Sequence, residues 1–388
     1  MQWYKFGEFS GRYVGETAYH RITENTISDK TESLQENYKE LPGEFGFLYG
    51  PSTGGLLESV LFNIHTPGEV IKGIDVDPEV KLRKITVNGL KPVDALLRIE
   101  RINAYHSASH SIAFCSAVED ALDIEVSDLT KERRIAMIEL ERIRSNLEVI
   151  KRMCEPAGFG VPHNQIAYLQ EKLSRIIGNL SGHRYMFSSN GIGTATFRIN
   201  DVSDELLDLR KEFSDIFKSL LQSRIFLNRL QNNGVIDTNE LIGPAARAAG
   251  HRVDARTDSK TLPYENMGFE PVIFDEPDAF GRFYVRSMEI LDSIDLVVSI
   301  KPKDQKDDVN FPQNSDGEGA ARIESPQGDL FYYVKILNNT IDRIELSSPS
   351  IPNINAFKRS MIGNIFTDFH FNWESFGIWI SEAAVLFQ

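Results

Sequence analysis

The chain has 388 residues, a length that suits two or three packed units around a sizeable core. Its 42 Lys and Arg against 56 Asp and Glu give a formal net charge of −14, which argues against nucleic-acid binding because such proteins carry basic stripes. Two cysteines are too few for a disulfide framework or a four-thiolate metal site. No uncharged apolar run reaches the roughly 18–20 residues of a membrane helix, and no signal segment opens the sequence. We therefore expect a cytoplasmic α+β protein.

Residues 1–75 are predicted to form a small N-terminal β-rich domain. Short aromatic or β-branched runs broken by glycine, and one alternating run before a Thr-Pro-Gly turn signal, are typical of strands. The candidate strands are Trp3–Phe6, Gly11–Val14, Phe45–Tyr49 and Leu57–His65. Together they predict one small antiparallel sheet.

Residues 76–240 are predicted to form a central bundle of long helices. Val93–Ala121 contains no Gly or Pro and repeats apolar residues at helical spacing. The other candidate helices are Leu129–Glu155, Pro162–Ile177 and Val202–Asn232. Four long helices with short connections favour a bundle.

Residues 241–388 are predicted to form a C-terminal α+β region that folds back on the bundle. A helix is expected at Gly281–Ser299, and residues 301–319 are polar and charged, as in an exposed loop. The expected strands are Ala321–Glu324, Leu330–Leu337 and Thr340–Leu346. The final VLFQ is either native or the remnant of a protease site, and it carries no functional argument.

The densest polar cluster contains Tyr105, His106 and His110. On a helix the two histidines would be i, i+4 neighbours, so both imidazoles would share one face. That spacing can hold a metal, but the adjacent glutamate of the zinc-protease pattern and a third ligand are missing. Two histidines that face a bundle interior are more often hydrogen-bonded core residues.

A second polar segment, Gly243–Asp258, combines small residues with the charges of Arg247, Asp254 and Arg256. Small residues permit close backbone approach. An unpaired buried charge is costly, so internal ion pairs are expected. Composition alone favours a structural ion-pair network at a domain junction.

Five segments carry recognisable motifs in a fixed order along the chain. They are Gly50–Glu58 (G-P-x-S/T-x-G-x-x-E), Glu100–Glu119 (E-R-I, then S-x-x-H-x-x-A-F-x-x-A-V-E), Gly243–Tyr264 (G-P-x-x-R-A, then D-x-R-x-D and P-Y), Asp278–Glu289 (D-x-x-x-R-x-x-x-R-x-x-E) and Ile323–Gly328 (similar to I-E-A-P-R-G). In this order they resemble the large subunit of energy-converting nickel–iron hydrogenases and the 49-kilodalton-type subunit of respiratory complex I. The likeness runs from about residue 45 to residue 382 and implies a hydrogenase large-subunit-like fold.

The resemblance also shows what this chain lacks. In the hydrogenases four cysteines hold nickel and iron, and their positions fall here on Asn103, His106, Trp379 and Glu382. A nickel–iron centre needs soft, deprotonated sulfur, which these side chains cannot supply. We therefore expect no metal and no cofactor bound by this chain alone, and no hydrogenase activity of the chain by itself.

Complex I has lost the same cysteines and uses the vacated space as a quinone chamber. Glu382 matches the acidic residue near the C-terminus of that family, but other quinone-site marks are changed. The stretch at Thr53 stands where the complex I family has a loop histidine. The tyrosine that contacts the quinone headgroup in that family aligns near Ala104, with Tyr105 beside it. Val80–Lys84 stands in place of the R-G-x-E motif of that family.

Two functions remain open at this point. In the first, the chain is a subunit of an NADH:quinone oxidoreductase-like or hydrogenase-related complex and passes electrons to a quinone-like acceptor. In that hypothesis Tyr105, His106 and His110 donate hydrogen bonds to the acceptor, Arg247, Asp254 and Glu382 tune protonation, and Thr53, Asn103 and Trp379 line the binding site. In the second, the chain is a non-catalytic structural subunit.

The resemblance implies the same assembly for both functions. Partners would be a small iron–sulfur subunit, whose cluster supplies the electrons, and membrane subunits, with the chain peripheral on the inner face of the cell membrane. The residues expected to converge in space are Asn103, His106, Arg247, Asp254, Trp379 and Glu382. An open polar pocket would favour acceptor binding, whereas a pocket plugged by Trp379 and Phe376 would favour the structural role.

Overall fold

The computed structural model describes residues 5–9, 12–16, 20–22, 27–29, 38–39, 41–198, 201–258, 261–301 and 315–388. Its N-terminal part contains two antiparallel sheets where the sequence predicts one. The strands of this part are β1 (Lys5–Phe9), β2 (Arg12–Glu16), β3 (His20–Ile22), β4 (Ile27–Asp29), β5 (Phe45–Tyr49), β6 (Leu61–Thr66), β7 (Gly73–Asp77) and β8 (Arg83–Ile85). Strands β1–β4 form one sheet, and β6 is the centre of the other because β5 and β7 occupy both of its edges.

The helix expected over Val93–Ala121 is divided into α1 (Pro92–Ile99) and α2 (Ser107–Ala121). The break lies at Asn103, whose backbone is extended (φ −141°, ψ 121°) and whose side-chain oxygen accepts a hydrogen bond from the Tyr105 amide. An asparagine that bonds its own backbone competes with a continuous helix. The break brings Asn103 and His106 to the start of α2 rather than to its middle.

The remaining bundle helices are α3 (Asp128–Cys154), α4 (Gly160–Ser181), α5 (Ser203–Gln222) and α6 (Arg224–Leu230), with a short hairpin of β9 (Asn190–Gly191) and β10 (Thr194–Ala195) after α4. The first two agree with the sequence prediction. The predicted Val202–Asn232 helix is divided at Ser223, which is extended and accepts a hydrogen bond from the Phe226 amide as the cap of α6. Helix α3 is buried around most of its surface and forms the centre of the bundle.

The C-terminal part combines helices with a three-stranded antiparallel sheet. Its elements are α7 (Gly243–Ala248), α8 (Ala255–Asp258), α9 (Ala279–Ser299), β11 (Gly317–Ser325), β12 (Gly328–Leu337), β13 (Thr340–Ser347), α10 (Ser350–Ser360), α11 (Phe369–Phe376), α12 (Ile380–Ala383) and β14 (Val385–Phe387). The three predicted strands are present. Of the predicted loop at 301–319, residues 302–314 lie outside the described residues, and β11 begins earlier than expected.

Two hydrophobic cores position the functional residues. One lies in the helix bundle and extends to β11–β13, and the other joins β6 and β7 to α7, α10, α11 and α12. Strand β14 pairs in parallel with β8, so the last residues of the chain return to the start of the bundle. Within the described ranges, no helix is both long and apolar enough to cross a bilayer. The boundaries at residues 75 and 240 stay predictions.

Candidate functional site

Glu382 lies on the short helix α12, and the carboxylate of Glu58 fixes the start of that helix. The two Glu58 oxygens accept hydrogen bonds from the Ile380 amide at 2.6 Å and from the Ser381 amide at 3.1 Å. Such a carboxylate satisfies amides that have no partner inside the helix. Glu58 belongs to the first resemblance motif, so an N-terminal motif holds the C-terminal residue in place.

One oxygen of Glu382 faces the beginning of α2. Oε1 accepts a hydrogen bond from Asn103 Nδ2 at 2.9 Å and forms a short hydrogen bond with His106 Nδ1. His110 Nε2 lies 3.5 Å from the same oxygen. All four side chains are almost completely buried. The two histidines thus converge on one carboxylate, as their i, i+4 spacing predicts. His110 lies in the first turn of α2, and His106 is the residue that immediately precedes this helix.

The second oxygen of Glu382 faces the segment between β13 and α10. Oε2 accepts hydrogen bonds from Ser348 Oγ at 2.9 Å and from Ser350 Oγ at 3.2 Å. We call this group the carboxylate site; its members are Asn103, His106, His110, Ser348, Ser350 and Glu382. Sequence analysis missed the role of both serines, and the only available signal was the Pro349-Ser350 pair that matches the family.

The hydrogen bonds around His106 assign its proton. Gln327 Nε2 donates to Ser145 Oγ at 2.9 Å, and the same oxygen lies 2.9 Å from His106 Nε2. Because an ionised carboxylate can only accept, His106 Nδ1 donates its hydrogen to Glu382. Both ring nitrogens of His106 are used inside the protein.

Glu382 is held in its charged form. Burial opposes the charge, but the attraction and hydrogen bonds of His106 and His110 outweigh it and hold the pKa of Glu382 well below its usual range. An ionised carboxylate at this position can accept a proton from a neighbouring donor and pass it on.

A cavity of about 580 Å³ reaches the carboxylate site from the side of the serines. Ser348 and Glu382 lie at its buried end, and its walls come from β13 and β14. Small-molecule pockets typically have volumes of roughly 300–1,000 Å³. The carboxylate site thus lines a space large enough for a ligand.

Trp379, which the resemblance aligns with one of the hydrogenase cysteines, packs against the beginning of α2. Its ring stacks on Tyr105 with 4.9 Å between centroids, and the Arg152 guanidinium lies 4.9 Å from its centroid. The ring also meets His106 edge to face. Tyr105 donates its hydroxyl to Glu148 at 3.1 Å, so this hydroxyl points away from Glu382.

The side chains at the four former cysteine positions do not fit a nickel–iron centre. They offer one imidazole and one carboxylate but no thiolate, and nickel–iron chemistry depends on soft sulfur ligands. The sulfur atoms of Cys115 and Cys154 are buried, and burial raises the pKa of the Cys154 thiol to about 12. In the part of the chain that the structure describes, no group of three or more His, Cys, Asp or Glu could hold a metal ion.

Arg247 and Asp254 do not join the carboxylate site, contrary to the predicted convergence of all six residues. Arg247 contacts Asp254 at 3.0 Å, Glu324 at 2.8 Å and Glu289 at 2.7 Å. Asp254 in turn binds Arg256 at 2.7 Å. Burial opposes the Asp254 charge, but the two arginines outweigh it and lower the pKa of this carboxyl.

The expected internal ion pairs are thus present as a separate buried group. We call it the arginine network; its members are Glu139, Arg142, Arg247, Asp254, Arg256, Glu289 and Glu324. Helix α3 connects the two groups, because it carries Arg142 of the network and Ser145, which contacts His106. Arg247 and Asp254 lie in this network rather than at Glu382 because each charge of the network is paired with opposite charges of the network itself.

Thr53 lies in the half-buried loop between β5 and β6. The imidazole of His370 lies against this loop, close enough that a Cβ at Gly55 would be 2.8 Å from its Cε1. Tyr49 bonds His370 at 2.8 Å and donates to the Gly54 carbonyl at 3.1 Å. Thr53 thus lies in a loop that contacts His370 at Gly55, and Glu58 connects the end of this loop to α12.

The α+β fold described above occurs in a solved structure of a respiratory membrane complex. A chain of the membrane-bound sulfane sulfur reductase, an archaeal respiratory membrane complex, superimposes with a TM-score of 0.79 at 20% sequence identity. The match covers 89% of this chain and 99% of that one. The predicted α+β, hydrogenase large-subunit-like fold is confirmed.

Sequence comparison agrees with the resemblance to these subunits. The model of the respiratory-chain NADH dehydrogenase 49-kilodalton subunit matches residues 165–315. The membrane-bound hydrogenase subunit alpha of Pyrococcus furiosus is 26% identical over 354 residues, covering 82% of each chain. An NADH-quinone oxidoreductase subunit of Chloroherpeton thalassium is 26% identical over 313 residues, covering 69% of this chain and 70% of its own. The resemblance is confirmed: the chain is a relative of the 49-kilodalton-type subunits and of membrane-bound hydrogenase subunits.

Proposed function

We propose that this chain is the large subunit of a complex I-related membrane respiratory complex and that it reduces a quinone-like acceptor. The observation that carries the proposal is the position of Glu382. Its carboxylate bonds the His106 imidazole, lies 3.5 Å from His110 Nε2 and lines a cavity of about 580 Å³. The related hydrogenase and NADH-quinone oxidoreductase subunits support the setting.

The chemistry follows from the carboxylate site. Reduction of a quinone to a quinol takes two electrons and two protons. In our proposal the electrons come from an iron–sulfur cluster in a small partner subunit. Each proton leaves a protonated imidazole, crosses the Glu382 carboxylate and reaches an acceptor oxygen in the cavity. Because the carboxylate stays ionised between transfers, it is a relay and the imidazoles are the store.

The assembly in this proposal is the one that the resemblance implies. The chain is peripheral, lies on the inner face of the cell membrane and contacts both the small iron–sulfur subunit and membrane subunits. The described part of the chain supplies no membrane-crossing helix of its own, so attachment depends on those partners in the proposal.

A structural role is the second candidate, and the packing of Trp379 favours it. The indole ring is sandwiched between Tyr105 and Arg152, and Phe376 is fully buried nearby in sequence. A subunit that only had to maintain its fold would fill the former metal space in this way. The cavity on the far side of Glu382 is what favours acceptor reduction over this role.

Purification of the native complex through a tag on this chain tests the proposal. We expect a small iron–sulfur subunit and membrane subunits to co-purify, and the complex to reduce a short-chain benzoquinone. Glu382→Gln should lower that rate by tenfold or more, since general acid–base steps typically contribute about 10²–10⁴-fold.

Glu374→Gln is the matched control. Glu374 is another buried carboxylate of the C-terminal segment, and it pairs with Arg152 at 3.1 Å. This variant should keep most of the rate if proton relay, rather than general loss of buried charge, explains the Glu382 effect. Full quinone reduction by an assembled Glu382→Gln complex would leave the structural role as the better function.

A further inference from the structure

We propose that the acceptor binds in the cavity between β13 and β14, with its polar head on Ser348 and its apolar body toward the rim, and not beside Tyr105 and Trp379. This inference rests on the proposed function and adds the place, the orientation and the chemical class of the ligand. It assigns a binding role to Ser348, which no motif marks.

The cavity changes character from its buried end to its opening. Ser348 and Glu382 form the buried polar end. Most of the other lining residues are apolar, among them the half-buried Leu346, Ile351 and Val385. A ligand that matches this order carries a hydrogen-bonding head and an apolar body, as an isoprenoid quinone does.

The rim continues the apolar surface outward. Leu82 and Leu386 are 38% and 42% exposed, unusually open for leucines that line a cavity. Arg343 also lines the cavity and bonds Glu345 at 2.8 Å. An apolar tail longer than the cavity would therefore leave it between the two leucines.

The charges in the cavity select a neutral head. Glu382 is ionised at the buried end, and Glu79 and Glu345 near the rim outnumber the single cation Arg343. A carboxylate or phosphate ligand would meet like charge at the end where its head must bind. A quinone carbonyl meets no such repulsion.

Ser348 can give its hydrogen bond to the ligand without leaving Glu382 unsatisfied. Two hydroxyls donate to Glu382 Oε2, and only Ser348 lines the cavity. When the Ser348 hydroxyl turns toward an acceptor oxygen, Ser350 still donates to the carboxylate. The acceptor oxygen then lies next to the proton relay.

The surroundings of Trp379 are packed by ring and guanidinium contacts. Trp379 is covered by Tyr105 on one side and by Arg152 on another, and its edge faces His106. The donors of Tyr105 and His106 are already bonded to Glu148 and Glu382. Binding there would require Trp379 to leave its place.

Two serine variants in the assembled complex test the assignment by steady-state kinetics with a short-chain benzoquinone. Ser348→Ala and Ser350→Ala each remove one donor from Glu382 and should lower kcat to a similar extent. Only Ser348→Ala should also raise KM, by about five- to tenfold for one lost hydrogen bond. Equal KM values in the two variants would overturn the role of Ser348.

A cavity-filling variant and a photolabel test the location independently of the serine. Ile351→Trp should raise KM for the same quinone at least tenfold, and an azido-benzoquinone should label the peptide that contains β14. Labelling of the Tyr105 peptide instead, with unchanged KM in Ile351→Trp, would place the acceptor on the former metal side. If the wild-type complex neither reduces nor is labelled by the quinone, the proposed function fails and the inference fails with it.

Discussion

The carboxylate site and the arginine network are both buried and both charged, yet they are built differently. In the network, Arg247 alone contacts three carboxylates, and Arg256 pairs with Asp254 and Glu139. In the carboxylate site one negative charge faces groups that are neutral or can titrate, and a cavity reaches it. Removing one charge from the network leaves its opposite charges unpaired. In the carboxylate site, the hydrogen bonds of Asn103, Ser348 and Ser350 hold Glu382 in place while a proton is transferred.

This difference separates a stabilising role from a chemical one. A buried ion pair is strongly destabilising when one partner is removed, although its net contribution to stability is small. A buried carboxylate whose partners are imidazoles has a protonation state that depends on its surroundings. Substitutions in the two groups should therefore have different consequences, with stability changing most in one and activity in the other.

The largest expected effect is loss of stability in the network. Arg247→Leu leaves Asp254, Glu289 and Glu324 without their shared cation and should lower the free energy of unfolding by roughly 3–5 kcal/mol. Urea unfolding measures this change. The control is Arg175→Leu, which breaks an exposed pair with Glu171 and should leave the free energy of unfolding nearly unchanged.

Loss of activity with a smaller loss of stability is expected in the carboxylate site. His106→Ala removes the shortest contact to Glu382 and should lower quinone reduction about 10- to 100-fold in assembled complex. The variant should cost about 1–3 kcal/mol of stability, because it breaks a buried hydrogen-bond network. His163→Ala, a histidine away from the site on α4, serves as the control. Wild-type turnover in His106→Ala would contradict a chemical role for the carboxylate site.

The pH dependence of stability should report Glu382 directly. Its folded pKa is lowered, because the His106 and His110 contacts outweigh burial, so its contribution is fully present above its unfolded pKa of about 4.3 and is lost as the pH falls through the folded value. The difference in Tm between wild type and Glu382→Gln should thus be constant above about pH 5 and shrink in more acidic buffer. A difference that grows on acidification would contradict an ionised Glu382.

Tyr105 should show a smaller effect than either histidine partner of Glu382. Tyr105→Phe keeps the ring stacked on Trp379 and removes only the hydrogen bond to Glu148. We expect a loss of about 0.5–1.5 kcal/mol in unfolding free energy and a smaller fall in rate than in His106→Ala. A rate loss as large as that of His106→Ala, with assembly intact, would move the acceptor to the tyrosine side.

The smallest expected effect is the change in Tm when nickel is added to the purified chain. The four former cysteine positions supply no thiolate, so elemental analysis of the purified chain should give no stoichiometric nickel or iron, and added nickel should leave Tm unchanged. About one nickel per chain would require a new ligand set, in which His106 and His110 would be the first candidates.

Sequence patterns predicted the long elements well and the short ones poorly. Helices α3 and α9 follow their apolar periodicity, and the β11–β13 meander follows its alternating runs. The breaks at Asn103 and Ser223 were missed because each depends on a side chain that bonds a nearby amide, and both residues also occur inside helices. Strand β7 was missed because it consists of a glycine, two aspartates and only two β-branched residues, and Gly and Asp are depleted in strands. It completes the second N-terminal sheet.

From the order of its motifs, the sequence by itself gave the resemblance, which aligns Asn103, His106, Trp379 and Glu382 with the hydrogenase cysteines. Through that resemblance it also predicted that Asn103, His106 and Glu382 lie together. Only the tertiary structure decided that Arg247 and Asp254 form a separate network and that Glu382 opens toward Ser348 rather than toward Trp379. The physical reason is that these choices depend on contacts between residues far apart in the chain, such as the 279 positions between Asn103 and Glu382, which no local pattern encodes.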